Sequence, residues 1–346
     1  MKKDTMVLKE MLDRDAKRIA SSINFHNLSN KSILITGANG LIGINFIASL
    51  VEIATKISGI KIYLVIHSSL SLFLLPFLNA RNVFVFKGDL TDDHFIETFP
   101  NVDIIIHTAG SGIPSQFLNN KLSTLKINTK TTLKLFEKLN IGGKFLFISS
   151  SDLYNGLDAE VCSENQIGTT NTDHPRACYI EGKRVGETIC NIYQEMGVDA
   201  YSVRLSLTYG PGTSYDDSRV LPSFIRKALD GQIDLLDSGK ASRTFCYISD
   251  AIELMWFVLL NGKHCLYNIG GNEKIEICNL AEMIGKILHV PVNYPAINSG
   301  IMGAPHNVEI DISRILLESK KNKFVSLKEG LANTINWFRL LKNMKH

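Results

Sequence analysis

At 346 residues the chain is longer than one minimal module, and 45% hydrophobic against 21% charged residues rules out extensive disorder. The net charge of +3 comes from 37 basic and 34 acidic residues spread along the chain, so no basic stripe addresses nucleic acid. Six cysteines (Cys162, Cys178, Cys190, Cys246, Cys265, Cys278) form neither a CxxC pair nor a Cys/His ligand spacing, which argues against a metal site or a disulfide framework and for reduced thiols in a cytosol.

The first predicted element is an amphipathic helix. Leu8, Met11, Leu12, Asp15, Ala16 and Ile19 recur at helical spacing, and the charges between them are unlike a signal peptide or a membrane span. Residues 1–30 are therefore expected to be a helical extension of a cytoplasmic protein. From Lys31 strand and helix patterns alternate: SILIT, LIGINFIASLVEIA, IKIYLVI, NVFVF, VDIIIHTA, GKFLFISS. Continuous apolar strands between helical segments predict an α/β fold over 31–205, a doubly wound parallel sheet covered on both faces. Long helices over about 121–140 and 179–197 follow the fourth and fifth strands as crossovers. After AYSVRLS the alternation fades. Segments 219–232, 233–236 and 281–305 predict pieces of a smaller C-terminal lobe within 206–346, interleaved with a return of 244–270 to the main domain.

The segment Ile33-Leu-Ile-Thr-Gly37-Ala-Asn-Gly40-Leu-Ile-Gly43 joins the first strand to the first crossover helix through three glycines at intervals of three. Glycines allow a tight turn and close backbone approach, and the helix N-terminus supplies N–H donors, so the turn is read as a dinucleotide pyrophosphate cradle. Gly37, Asn39, Gly40, Leu41, Ile42 and Gly43 form it. His67 after the second strand, Asp89 and Leu90 after the third, and Thr108 and Ala109 after the fourth complete the expected cofactor lining. The second strand ends in Ile66-His67-Ser68-Ser69 without the carboxylate that often meets the adenosine ribose, which leaves NADP open beside NAD.

Tyr179-Ile-Glu-Gly-Lys183 puts a phenol and an ammonium on one helix face. A tyrosine with an ordinary pKa of roughly 10 becomes a useful base only with positive charge nearby. Ser149-Ser150-Ser151-Asp152 emerges at the carboxyl end of the fifth strand, where the Ser150 hydroxyl can bond the substrate oxygen that Tyr179 deprotonates. His107, at the end of the fourth strand, reads as a satisfied strand histidine and not as a catalyst.

TGxxGxxG, the serine strand end and YxxxK, in this order, resemble the extended short-chain dehydrogenase/reductase family. Pro175-Arg-Ala-Cys-Tyr-Ile-Glu-Gly-Lys-Arg184 is similar to the segment of UDP-glucuronate decarboxylases. Arg204 through Tyr209-Gly-Pro-Gly212, Arg219-Val220 and Arg243-Thr-Phe-Cys-Tyr-Ile-Ser-Asp250 resemble the family's substrate segments. The resemblance runs from about Lys31 to Leu331. It implies a Rossmann domain with a substrate-binding lobe, bound NAD that Tyr179 and Lys183 also touch, and a nucleotide-diphosphate sugar oxidised at C4 by a catalytic set of Tyr179, Lys183, Ser150 and Asp152. It further implies Ser151, Arg176, Arg219 and Arg243 on the substrate, a homodimer through the 121–140 and 179–197 helices, and supply of a precursor for a surface polysaccharide. The resulting ketone can be epimerised, decarboxylated, dehydrated or simply reduced.

The departures sort these outcomes. Family dehydratases carry Thr-Asp-Glu where this chain has Ser150-Ser151-Asp152, and decarboxylases also carry the Glu. Leu207 stands where an Asn is common, and Asn155 where a Gly is. Epimerisation asks least of these positions and is the leading expectation, followed by decarboxylation. The contrasting class is an NAD(P)-sensing regulator that kept the cradle and lost catalysis.

Overall fold

A computed structural model describes residues 2–295 and 307–345. Helix α1 (Lys2–Ser22) precedes strand β1 (Ser32–Thr36), α2 (Leu41–Ala54), β2 (Lys61–Ile66), β3 (Val83–Lys87), α3 (Asp93–Glu97) and β4 (Val102–His107). Then come α4 (Pro114–Asn119), α5 (Lys121–Asn128), α6 (Lys130–Phe136), β5 (Leu139–Ser150), α7 (Ala177–Glu195) and β6 (Asp199–Leu205). The remainder holds β7 (Leu207–Tyr209), α8 (Val220–Leu229), β8 (Ile233–Asp234), β9 (Ser242–Tyr247), α9 (Ile248–Asn261) and β10 (Leu266–Ile269). It closes with β11 (Lys274–Glu276), α10 (Ile277–Leu288), β12 (Val292–Asn293), β13 (Asn307–Val308), α11 (Ser313–Ser319) and α12 (Leu327–Lys345).

The seven-stranded sheet has the order β10-β6-β5-β4-β1-β2-β3, with every pair parallel. Parallel strands buried on both faces must be apolar on both, which explains their unbroken hydrophobic runs. Ile33 and Ile35 of β1 and Leu146 and Ile148 of β5 enter one core; Leu34, Phe145 and Phe147 enter the other. The strand order reverses between β1 and β4. In such a sheet, that reversal opens a crevice beyond the carboxyl ends of the strands.

The helix expected over 121–140 is two helices. Their junction, Thr129, has φ −115° and ψ −83°. Around it Asn128 Nδ2, Thr129 Oγ1 and Thr132 Oγ1 bond the carbonyls of Thr124, Leu125 and Asn128 at 2.8, 2.8 and 2.9 Å. Such back-bonding bends helices. Leu139 and Asn140 already belong to β5. Strand β9 pairs with β7, β11 and β13 in a separate small sheet, while α9, which follows it, packs against α2 and β6. Of the segment 281–305, residues 296–305 lie outside the described residues. Helix α1 lies on α2, α9 and α12 through buried Leu8, Leu12, Ala16 and Ile19. No described helix is long and apolar enough to cross a membrane.

Candidate active site

The glycine turn sits at the carboxyl end of β1, beside β4. Gly37 has φ +68°, and a Cβ there would stand 2.8 Å from the Ala109 backbone. A Cβ on Gly43 would stand 2.4 Å from the Gly37 carbonyl, whereas one on Gly40 would meet nothing nearer than 3.3 Å. Two glycines therefore close the turn against β4 and α2. The third keeps its outer side open at the start of α2, which has no side-chain cap and no acid in its first turn.

His67 is exposed at the end of β2. The Asn39 side chain ties the loop after β2 to the turn, donating to the Ser69 carbonyl at 2.7 Å and accepting the Ser71 N–H at 2.9 Å. Asp89 accepts the Thr91 N–H at 2.8 Å, and the Leu90 carbonyl accepts the Thr131 hydroxyl at 2.7 Å. Short polar side chains at strand ends bond locally in this way. Thr108 bonds the Thr36 carbonyl at 2.7 Å, and the Ala109 N–H reaches Thr36 Oγ1 at 3.2 Å.

His107 is fully buried. Its Nε2 faces the Ile127 carbonyl at 3.1 Å and must carry the proton, so its Nδ1 accepts from Thr36 Oγ1 at 2.7 Å. Burial, with Lys183 nearby, pushes the imidazole down to about 3. It is neutral and satisfied, as a strand histidine should be.

Across the cleft, the helical period brings Tyr179 and Lys183 to the face of α7 that packs on β5. Lys183 donates to the Ile148 carbonyl at 2.7 Å and lies 4.8 Å from the centre of the Phe147 ring. Burial lowers its ammonium to about 7, against the attraction of Glu187. Tyr179 is buried and pushed up to about 12 by desolvation and by Asp152, while a hydrogen bond with Ser150 and the charges of Arg176 and Arg219 act the other way. The structure thus brings Ser150, Tyr179, Lys183 and Asp152 together.

Asp152 is bound by the Arg176 guanidinium, whose Nε is buried without a partner. Arg219 precedes α8 and is held by Asp217, with Nη2 to Oδ2 at 2.6 Å. Arg243 on β9 feels the Asp152 charge, which raises its pKa while burial lowers it more. Ser151 starts the single turn of 3-10 helix that carries Asp152. Leu207 is partly buried against the core, and Asn155 ends that turn.

Three features of the site were not read from sequence. Phe117 of α4 stacks on the Tyr179 ring, centroids 4.6 Å apart and planes at 10°, with the Arg176 guanidinium 5.5 Å from the centre of the Phe117 ring. Gly112 faces the Tyr179 hydroxyl, 3.6 Å from where a Cβ would be. Glu187 and Arg204 form a buried pair behind Lys183. Glu187 had a signal in the continued four-residue spacing after Tyr179 and Lys183, and Arg204 in the segment that resembles the family, but their pairing had none.

Residues 33–270 match the NAD dependent epimerase/dehydratase family. The chain belongs to that family. It is 29% identical over 319 residues to UDP-glucuronic acid decarboxylase 1 of Xenopus tropicalis, covering 91% of this chain and 73% of that one. Its fold superposes with a TM-score of 0.78 on the UDP-N-acetylglucosamine 4-epimerase of Methanobrevibacter ruminantium M1, at 22% identity over 90% of this chain and 99% of that one. A dTDP-glucose 4,6-dehydratase of Streptomyces venezuelae, solved with NAD bound, gives 0.77 at 21% identity over 90% and 98%.

As a member of the NAD dependent epimerase/dehydratase family, the chain is an enzyme that uses NAD. The residues present fit that cofactor: a cradle closed by Gly37 and Gly43 and open at Gly40 accepts a pyrophosphate at the uncapped N-terminus of α2.

Proposed function

We propose that the chain oxidises a nucleotide-diphosphate sugar at C4 and returns it as the C4 epimer. The observation that carries this reading is the convergence of Ser150, Tyr179 and Lys183, with Asp152 tied to Arg176 instead of standing as a separate acid. The backbone of Gly37 to Gly43, with Thr108 and Ala109, would hold the cofactor. Bound NAD supplies reversible hydride acceptance at the sugar carbon. Ser150 orients O4, and Tyr179 takes its proton as the carbonyl forms. Positive charge on Arg176 and Arg219 offsets part of the burial that opposes a phenolate, and the Lys183 ammonium, 5.8 Å from the centre of the Tyr179 ring, would add to it. After the 4-keto sugar turns its other face, the hydride would return to C4 there and Tyr179 returns the proton to O4. Atoms are conserved, and no further acid or base is needed. Arg219 and Arg243 would grip the diphosphate, since guanidinium forks match phosphate oxygens.

Decarboxylation is the second reading. Likeness to a UDP-glucuronic acid decarboxylase over 91% of the chain favours it, as does Arg176 beside the reacting tyrosine. Products from a panel of UDP-, dTDP-, GDP- and CDP-sugars separate the readings by mass: unchanged for the epimer, minus CO2 for decarboxylation, minus water for dehydration. Tyr179→Phe should lower kcat by roughly 10²- to 10⁴-fold. Wild-type turnover in that variant would refute the mechanism, and no turnover by the native enzyme would favour a regulator.

We also propose a homodimer. Helices α5 and α7 pack side by side and leave Leu122, Leu125, Val185 and Ile192 exposed, with Met196 just beyond the end of α7. A monomeric mass by light scattering at micromolar concentration would overturn it.

A further inference from the structure

Tyr179, Lys183 and Glu187 follow one another at four-residue spacing along α7, and the third has no part in the chemistry above. Glu187 is 5% exposed. Its Oε1 accepts the Ser149 hydroxyl at 2.5 Å and Arg204 Nε at 3.0 Å, and its Oε2 accepts Arg204 Nη2 at 2.8 Å. Arg204 lies on β6 level with Ser149 on β5 and is 3% exposed. Its guanidinium sits 4.9 Å from the centre of the Tyr154 ring, and its Nη1 reaches the Gln166 carbonyl at 2.7 Å. One carboxylate thus joins the helix that bears Tyr179 and Lys183 to the strand end that bears Ser150. A buried ion pair is a weak device for stability alone, because desolvation offsets most of the attraction and apolar replacements often hold as well.

Lys183 has no ion pair within 4.0 Å among the described residues. The titratable and charged groups facing it are Tyr179 and Glu187 on its own helix, His107 from β4 and, behind Glu187, Arg204 from β6. His107 is neutral, so Glu187 is the negative charge in that set that acts on Lys183.

Resting on the reading that Tyr179 and Lys183 move the proton, we propose that Glu187 is a positioning residue. Its charge helps keep Lys183 protonated in its buried seat and its carboxylate fixes the Ser149 strand end against α7, with Arg204 holding that carboxylate in place. Without Glu187 the ammonium would lose its proton at lower pH, and the Tyr179 phenolate would lose its cation.

Glu187→Gln tests this. Because it strands Arg204, the paired variant Glu187→Gln with Arg204→Met is made beside it. NMR of labelled lysine side chains, assigned with Lys183→Met, reads the Lys183 midpoint without turnover. That midpoint is expected to fall by about 1 pH unit, tenfold in the protonated fraction. The rising limb of kcat against pH should move up by a similar amount, with KM for the nucleotide sugar within about twofold, while Glu187→Asp keeps the wild-type midpoint. A folded paired variant with the wild-type midpoint and pH profile would reduce Glu187 to a structural bolt. A shifted midpoint in a protein whose native form turns over no nucleotide sugar would sink the reaction reading and leave the coupling of Glu187 to Lys183 standing.

Discussion

The two ends of the cleft use different materials. At the cofactor end the deciding groups are backbone and absent side chains: Gly37 and Gly43 lie too close to Ala109 and to each other to carry a Cβ. At the proposed sugar end they are side chains gathered from separate segments: Phe117 from α4, Ser150 from the end of β5 and Asp152 from the turn after it, Arg176 from just before α7 and Tyr179 from α7, Arg219 from before α8 and Arg243 from β9. A surface made of backbone admits one shape. A surface made of paired long side chains can be retuned one residue at a time while the sheet stays the same, as Asp152 and Leu207 illustrate here. This explains how one fold, at 21–22% identity, superposes on both an epimerase and a dehydratase.

The comparison breaks most visibly at Gly43. Gly43→Ala forces a Cβ to 2.4 Å from the Gly37 carbonyl, and overpacking of that kind costs about 1–3 kcal/mol. If that cost falls on the NAD-binding shape of the turn, bound NAD weakens by up to about hundredfold. Titration of the cofactor checks it. Gly40→Ala puts its Cβ 3.3 Å from the Gly37 carbonyl, a tight contact relieved by a shift of a few tenths of an ångström, so it should retain the fold with a smaller loss, and equal losses at the two positions would contradict a turn closed by packing.

The sugar end should respond in opposite directions to its own two charges. Asp152 makes Tyr179 harder to ionise, and Arg176 makes it easier. Arg176→Met is therefore expected to move the rising limb of activity to higher pH, and Asp152→Asn to lower pH, each by about 0.5–1 unit, or three- to tenfold at a fixed pH on that limb. Cofactor affinity should hold in both variants. Shifts of the same sign would mean that the pair acts through geometry and not through charge.

How much was legible in sequence follows the same division. The glycine turn could be read because its shape demands a residue type, and Tyr179 with Lys183 because a four-residue step is one helix turn. The parallel sheet could be read from its two-faced apolar strands. Phe117 could not: an aromatic 62 residues before Tyr179 carries no sign of the ring it will stack on. The break at Thr129 also escaped, since it comes from hydroxyl and amide back-bonds that periodicity does not register. Asn39 and Asp89 lie at the strand ends where a cofactor would pass, yet their side chains are engaged with neighbouring backbone. Spacing finds a residue's position; partner choice depends on packing that only the folded chain supplies.

The smallest expected effect tests whether α1, which precedes the family match, belongs to the sugar end. Asp15 on α1 accepts the Tyr247 hydroxyl at 2.8 Å, and Arg18 pairs with Asp250 at 3.1 Å, four and seven residues beyond Arg243. Burial raises the Asp15 carboxyl from 3.8 to about 6, against the Tyr247 bond and the charges of Arg14 and Arg18 and with the help of Asp250. The folded state therefore holds this proton more tightly than the unfolded one, so the group's contribution to stability is greatest below pH 3.8 and declines as pH rises to about 6. At about 1.4 kcal/mol per unit the decline is of order 3 kcal/mol. Asp15→Asn removes the titration but accepts a weaker hydrogen bond from Tyr247, so a loss of about 1.5 kcal/mol near pH 4 is expected to turn into a gain of about 1 kcal/mol at pH 8. Urea unfolding at the two pH values measures it. A gain without any change in KM makes α1 a scaffold behind β9; a changed KM would show that its hold on Tyr247 reaches the strand that carries Arg243.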